Sequence, residues 1–201
     1  TAEASDLRPS EGAWLLTTTR GTMRATDVVL ALGPWAAGWT RRLGYRLPLF
    51  PLRGYHMHYS CDTACPLGHW VMDAEVGYIL GPMTRGVRLT TGAELTRQDA
   101  RPNPGQLRAA EQAARTLYPY LGDALEAEPW LGSRPCTADM KPVIGPAPAH
   151  GGLWFAFGHG HQGMTLGPAT GTLLSQLMTG EPPIIDPGPF NPVRFTRRRA
   201  A

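Results

Sequence analysis

Residues 153–171 read Leu153-Trp154-Phe155-Ala156-Phe157, then Gly158-His159-Gly160-His161-Gln162-Gly163-Met164-Thr165-Leu166-Gly167-Pro168-Ala169-Thr170-Gly171. A short apolar run enters a dense glycine loop, which spells a strand, a turn and the start of a helix. Gly158-x-Gly160-x-x-Gly163 has the spelling of a dinucleotide fingerprint, in which glycines let backbone N–H groups approach a pyrophosphate at a helix N-terminus. Two features count against that reading. Pro168 suits the first helical position, with Gly167 or Thr165 near the cap, so the helix is expected to start after the glycines and run over 168–178 to Gly180. Only residues 172–201 follow, and they include Pro182, Pro183, Pro187, Pro189 and Pro192, too few and too broken for further βαβ units. What remains is a glycine loop whose N–H groups and positive helix end face a planar, electron-rich or anionic partner.

Outward from this loop, the chain reads as discontinuous α+β or α/β. Ala13 to Thr19 and Thr22 to Ala25 form a hairpin around Arg20-Gly21, and Val28 to Leu32 is a short, fully buried strand broken at Gly33-Pro34. Leu52 to Tyr59, Val76 to Leu80 and Val87 to Thr91 read as antiparallel strands of a second sheet. Leu107, Ala110, Ala114 and Leu117 share one helical face between Pro104 and Tyr118, a helix ended by Pro119. The chain has 201 residues, 42% of them hydrophobic, and a net charge of +3, enough to bury a core in one domain or two. There is no apolar span of membrane-crossing length and no signal peptide. Three cysteines, Cys61, Cys65 and Cys136, make no disulfide framework and suit a reducing compartment such as the cytoplasm. Arg197-Arg198-Arg199 reads as a solvated tail, with a nucleic-acid contact or peripheral contact to an anionic membrane as the alternatives.

Four segments carry a family resemblance. They are Ala25 to Ala36 (ATDVVLALGPWA), Pro48 to Tyr55 (PLFPLRGY), Gly77-Tyr78-Ile79-Leu80-Gly81-Pro82 leading to Thr91-Gly92-Ala93-Glu94, and Gly132 to Pro146 (GSRPCTADMKPVIGP) followed by Gly158 to Gly171. In this order they resemble the C-terminal part of FAD-dependent D-amino acid dehydrogenases and their relatives, the D-amino acid and glycine or sarcosine oxidases. The resemblance spans nearly the whole chain. It implies part of an FAD-binding domain over 1–46, an inserted antiparallel substrate-binding domain over 47–134, and a return to the FAD-binding domain over 135–201. Members of that family open with a strand and a true Gly-x-Gly-x-x-Gly, and nothing of the kind precedes Ala25. The chain is therefore expected to be the second half of a flavoenzyme, or one subunit whose FAD site a second chain completes.

The resemblance implies FAD contacts at Gly33, Gly158, His159, Gly160, His161, Gln162, Gly163, Met164 and Thr165. It implies that Arg134 forks the substrate carboxylate, a geometry that suits a guanidinium, with Arg53 and Tyr78 as further pocket residues. The activity so implied is oxidation of a D-amino or cyclic imino acid to the 2-imino acid. The partners are a small amino acid substrate and an electron acceptor, quinone or oxygen, with no nucleic acid. A glycine or sarcosine-type oxidase is the nearest alternative. His159 and His161 are expected to hold backbone geometry, because an ammonium desolvated in the site can lose its proton to water. Asp139 is expected to cap its own turn. His56, His58, Cys61, Cys65 and His69 crowd together, but His-x-His without a matching cysteine pair is a poor zinc pattern and no metal is expected.

Overall fold

The computed structural model describes residues 1–62 and 66–195; Cys65 and the Arg197-Arg198-Arg199 run lie outside the described residues. The chain divides into two units, Thr1–Phe50 together with the chain from Pro135 onward, and Pro51–Arg134.

In the first unit, strands β1 (Ala4–Ser10), β2 (Ala13–Thr18) and β3 (Gly21–Ala25) form an antiparallel meander. The β2–β3 hairpin forms as expected but turns at Thr19-Arg20, one residue before the expected Arg20-Gly21, whereas β1 carries a single buried apolar residue, Leu7, and has no alternation to announce it. Strand β4 (Val28–Leu30) ends before Gly33, whose φ of +51° turns the chain into a 3-10 segment and α1 (Ala36–Arg42).

The second unit is built on one sheet, ordered β10-β5-β8-β7-β6, with β9 paired to β5. Its strands are β5 (Leu49–Cys61), β6 (Val71–Asp73), β7 (Tyr78–Met83), β8 (Gly86–Leu95), β9 (Leu121–Ala124) and β10 (Trp130–Thr137). Alternation decides its faces. Tyr55, Met57 and Tyr59 of β5, Tyr78 and Leu80 of β7, and Val87 and Leu89 of β8 point to one side, against Leu107, Ala110 and Ala114 of α2 (Gly105–Leu117). Burying Leu107 alone contributes about 1.5 to 3 kcal/mol. Helix α2 lacks a side-chain cap; Asn103 Oδ1 accepts from Gly105 N–H at 3.2 Å, and Pro119 forbids continuation.

Back in the first unit, β11 (Val143–Pro146) and β12 (Leu153–Phe157) join β4 in the order β11-β12-β4, with β12 parallel to β4. Strand β4 is thus an edge, and Val29 is 38% exposed, which corrects the expectation of a fully buried strand through Leu32. Leu153, Phe155 and Phe157 pack with Trp14, Leu30, Ala36 and Val143, while Ile144 on the other face meets Leu173 and Leu174 of α3 (Gly163–Thr179).

Helix α3 corrects a second expectation. It begins at Gly163, with Gln162 as cap, and not at Pro168. Pro168 is the sixth helical residue and removes only the bond that the Met164 carbonyl would accept. Met164 is 95% exposed, so water can satisfy that carbonyl. The boundary ground for rejecting a dinucleotide motif therefore falls. The remaining ground stands: among the described residues only two 3-10 segments follow α3, and no strand.

Candidate functional site

Five glycines of the first unit, Gly33, Gly160, Gly163, Gly167 and Gly171, line one cavity. Gly158 (φ +86°) and Gly160 (φ +57°) take conformations that disfavour side chains, and Gly160 N–H donates to the Pro135 carbonyl at 2.8 Å. His159 Nε2 meets Thr170 Oγ1 at 2.9 Å, and burial holds its imidazole below the ordinary histidine pKa, so this neutral ring ties the loop to α3. Gln162 N–H donates to the His159 carbonyl and Leu166 N–H to Gln162, leaving the first-turn amides of Gly163, Met164 and Thr165 without intrahelical acceptors. His161, Gln162, Gly163, Met164 and Thr165 are all exposed. The helix start has neither a side-chain cap nor an acidic residue, so its positive end is open to negative charge.

The cavity is about 460 Å³ and brings Gly33 together with His159, Gly160 and Gly163; Gly167, Thr170 and Gly171 of α3 complete one wall. A methyl group built on Gly33, Gly167 or Gly171 would meet nothing within 4 Å. A glycine wall of this kind admits a flat ring at close range, with the helix amides beside it. The residues present fit the ring portion of a flavin, and none of them forms a holder for an adenine nucleotide.

In the second unit, Arg134 and Tyr78 line a cavity of about 640 Å³ with Met72, Asp73, Ile79 and Thr90 among the other walls. Arg134 Nη1 donates to the Gly92 carbonyl at 2.8 Å, and the guanidinium lies flat against Gly54, where any Cβ would overlap it. Tyr78 is 1% exposed, and its hydroxyl makes no hydrogen bond of standard geometry; burial first, and the nearby Asp73 carboxylate second, push its pKa upward.

Arg53 does something else. It is fully buried, and its guanidinium donates to Glu94 Oε2 through Nε (3.0 Å) and Nη2 (2.8 Å), to the Ala100 carbonyl (2.6 Å) and to the Arg101 carbonyl (3.0 Å). Tyr55 donates to the same Glu94 oxygen at 2.7 Å and accepts from Asn103 N–H, so the cluster pins the segment between β8 and α2. The Tyr55 hydrogen bond, ahead of Arg53, holds the Glu94 carboxyl below its usual range while burial opposes.

Two histidines of the histidine-rich stretch have other partners. His58 donates from Nδ1 to Glu126 and accepts from Arg88 at Nε2, and no metal-binding group of three ligands occurs among the described residues. Asp139 caps its turn through Lys141 N–H and Thr137 Oγ1 and also pairs with Arg194 at 2.8 Å. Sequence reasoning passed over Trp130, which stacks on His56; the alternation Trp130-x-Gly132-x-Arg134 was the available signal. No helix among the described residues is long and apolar enough to cross a membrane.

Comparison with known proteins shows the family. Residues 1–177 match the family model described as FAD dependent oxidoreductase, DAO. A glycine oxidase of Pseudomonas aeruginosa is 33% identical over 192 residues, covering 92% of this chain and 50% of the relative. A D-amino acid dehydrogenase of Paramagnetospirillum magneticum is 36% identical over 183 residues, covering 90% and 43%. The crystal structure of glycine oxidase from Geobacillus kaustophilus superposes with a TM-score of 0.82 at 31% identity, covering 98% of this chain and 53% of that one. The chain spans about half the length of the curated relatives it matches.

Proposed function

The chain belongs to the DAO family of FAD-dependent oxidoreductases, enzymes that act on amino acids, and from that premise we propose that it carries the flavin-ring and substrate-binding parts of an enzyme oxidising D-amino or cyclic imino acids to 2-imino acids. FAD, when bound, supplies the acceptor for the hydride leaving the α-carbon. Gly33, Gly158 and Gly160 give the ring close backbone approach. The open first-turn amides of Gly163, Met164 and Thr165 would stabilise negative charge on the bound ring, a helix-end effect of about 0.3 to 2 kcal/mol. His159 positions the loop through Thr170 and has no proton-transfer duty.

Arg134 holds the substrate carboxylate, and the Tyr78 hydroxyl offers a second donor. The observation that carries this reading is one cavity lined by both the Gly92-anchored guanidinium and the buried hydroxyl that lacks a standard hydrogen bond. Its largely apolar walls disfavour a bound ammonium, so the substrate amine sheds its proton to water on entry and no protein base is needed. Arg53 is a positioning residue that holds the strand bearing Gly92 and Ala93.

Mixing the purified full-length protein anaerobically with a panel of D-amino acids tests the reaction, since bleaching of the flavin's visible absorption reports both cofactor and substrate. Removing one partner of a buried charge pair costs about 2 to 5 kcal/mol, so Arg134→Ala should weaken substrate capture roughly thirty- to several-thousand-fold. A change under about threefold would assign the carboxylate to another residue. The glycine oxidase relatives favour a second reading, an oxidase, which rapid reoxidation of the reduced flavin by oxygen would identify.

A further inference from the structure

The sheet face turned away from α2 carries a continuous cross-strand row. His56 pairs with Thr90, Thr90 with Ile79, and Ile79 with Met72, so all four project to the same side. Thr90, Ile79 and Met72 line the cavity that holds Arg134. At the other end of the row, Trp130 stacks on His56 with ring centroids 4.7 Å apart and planes 21° from parallel. Two glycines let large groups lie flat on this face: Arg134 against Gly54, and the Trp130 ring over Gly132, where a Cβ would come within 2.5 Å of Cζ3. Trp130, Gly132 and Arg134 alternate onto one side of β10, so the indole over Gly132 and the guanidinium over Gly54 share this face of the sheet. The indole is 59% exposed.

We propose that Trp130, backed by His56, is the side-chain subsite of the Arg134 carboxylate site, and that it selects amino acids whose side chain is a flat ring on a single methylene. This rests on the carboxylate reading of Arg134. In such a substrate three bonds of about 1.5 Å separate the carboxyl carbon from the first ring atom. Added to a guanidinium–carboxylate contact, that reach brings the ring onto the indole. Glycine and alanine fall short of it, and so does a ring closed on the α-carbon. The ring and indole meet offset or edge-on, as aromatic pairs prefer.

The test uses the full-length holoenzyme. Trp130→Ala should lower kcat/KM for D-phenylalanine about 10- to 100-fold and leave D-alanine within threefold, and Trp130→Phe should restore D-phenylalanine to within fivefold of wild type. Equal losses on both substrates, or no loss on D-phenylalanine, would overturn the assignment. A second readout needs no turnover: 3-phenylpropanoate binding, followed by the flavin difference spectrum, should weaken tenfold or more in Trp130→Ala while propanoate binding stays within threefold. If wild type oxidises no D-amino acid yet discriminates these acids through Trp130, the reaction is misread and the subsite stands; if it oxidises D-alanine but Trp130→Ala binds both acids unchanged, the subsite is wrong and the reaction stands.

Discussion

Replacing Gly54 by alanine probes the Arg134 site without touching a charged group. A Cβ at position 54 would sit 2.6 Å from Arg134 Cζ, whereas carbon atoms pack at about 3.5 to 4.0 Å, so the guanidinium must retreat by about 1 Å. Gly54 is not among the positive-φ glycines, so the backbone accepts the change and the effect is purely steric. A retreat of that size stretches the 2.8 Å bond from Nη1 to the Gly92 carbonyl past useful range. Because the obstacle is the end of a flexible, half-buried side chain, water recovers most of that bond, and the net loss of stability is about 1 kcal/mol, or roughly 2 to 4 °C in Tm. Capture suffers more. A misplaced fork loses about 1.4 to 2.8 kcal/mol of carboxylate binding, a 10- to 100-fold rise in KM, with kcat changing less. Steady-state kinetics of the full-length enzyme with a D-amino acid read this directly. The double variant Gly54→Ala, Arg134→Ala should be no worse than Arg134→Ala, because both act through one guanidinium. A KM within threefold of wild type for Gly54→Ala, or full additivity in the double variant, would refute the reasoning.

Glu94→Gln leaves the fully buried Arg53 without its counter-charge. Breaking a buried pair costs about 3 to 5 kcal/mol, reduced here to about 2 to 3 because the Glu94 side chain is 20% exposed and glutamine still accepts a hydrogen bond, so calorimetry should show a Tm fall of roughly 5 to 10 °C. The folded-state pKa of Glu94 lies below the ordinary 4.5, so its contribution is complete above that value and fades as pH drops through the folded pKa; the Tm gap between wild type and variant should close on acidification, and a gap constant from neutral pH into the acid range contradicts the pairing. Gly171→Leu removes a helical glycine whose added Cβ meets nothing within 4 Å, so the chain should gain about 0.8 to 1 kcal/mol of stability while the purified full-length protein loses at least half its flavin; full flavin content would place the cofactor elsewhere.

How much of this was legible in the residues depended on whether the signal was local. Helix α2 announced itself through Leu107, Ala110 and Ala114, although Leu117, expected on the same face, is exposed at the last turn, and the β2–β3 hairpin through its turn, because each pattern completes within a few residues. The start of α3 misled, since Pro168 is a strong helix-start signal and the sequence does not reveal that the Met164 carbonyl it orphans faces water. Arg53 was read as a pocket residue because its partner Glu94 lies 41 positions away and a sequence window cannot pair them. The Trp130 and His56 stack was hidden for the same reason: one ring is on β10 and the other on β5, and only the sheet order brings them together.

The glycines themselves separate what the chain explains internally from what it does not. Gly54 and Gly132 are covered by Arg134 and Trp130, so close packing within the second unit accounts for their lack of side chains. Gly167 and Gly171 are different. Each sits inside α3, where glycine is about 0.5 to 1 kcal/mol worse than alanine, yet a methyl there would touch no described atom. Nothing among the described residues offsets that penalty. Both glycines line the cavity that also holds Gly33, Gly160 and Gly163, so a group proposed to fill their space would have to be flat, to come within backbone distance of α3 and to benefit from the amides at its start. An isoalloxazine ring meets all three conditions, whereas a packed side chain from elsewhere would meet the first two and leave the amides of Gly163, Met164 and Thr165 without an acceptor.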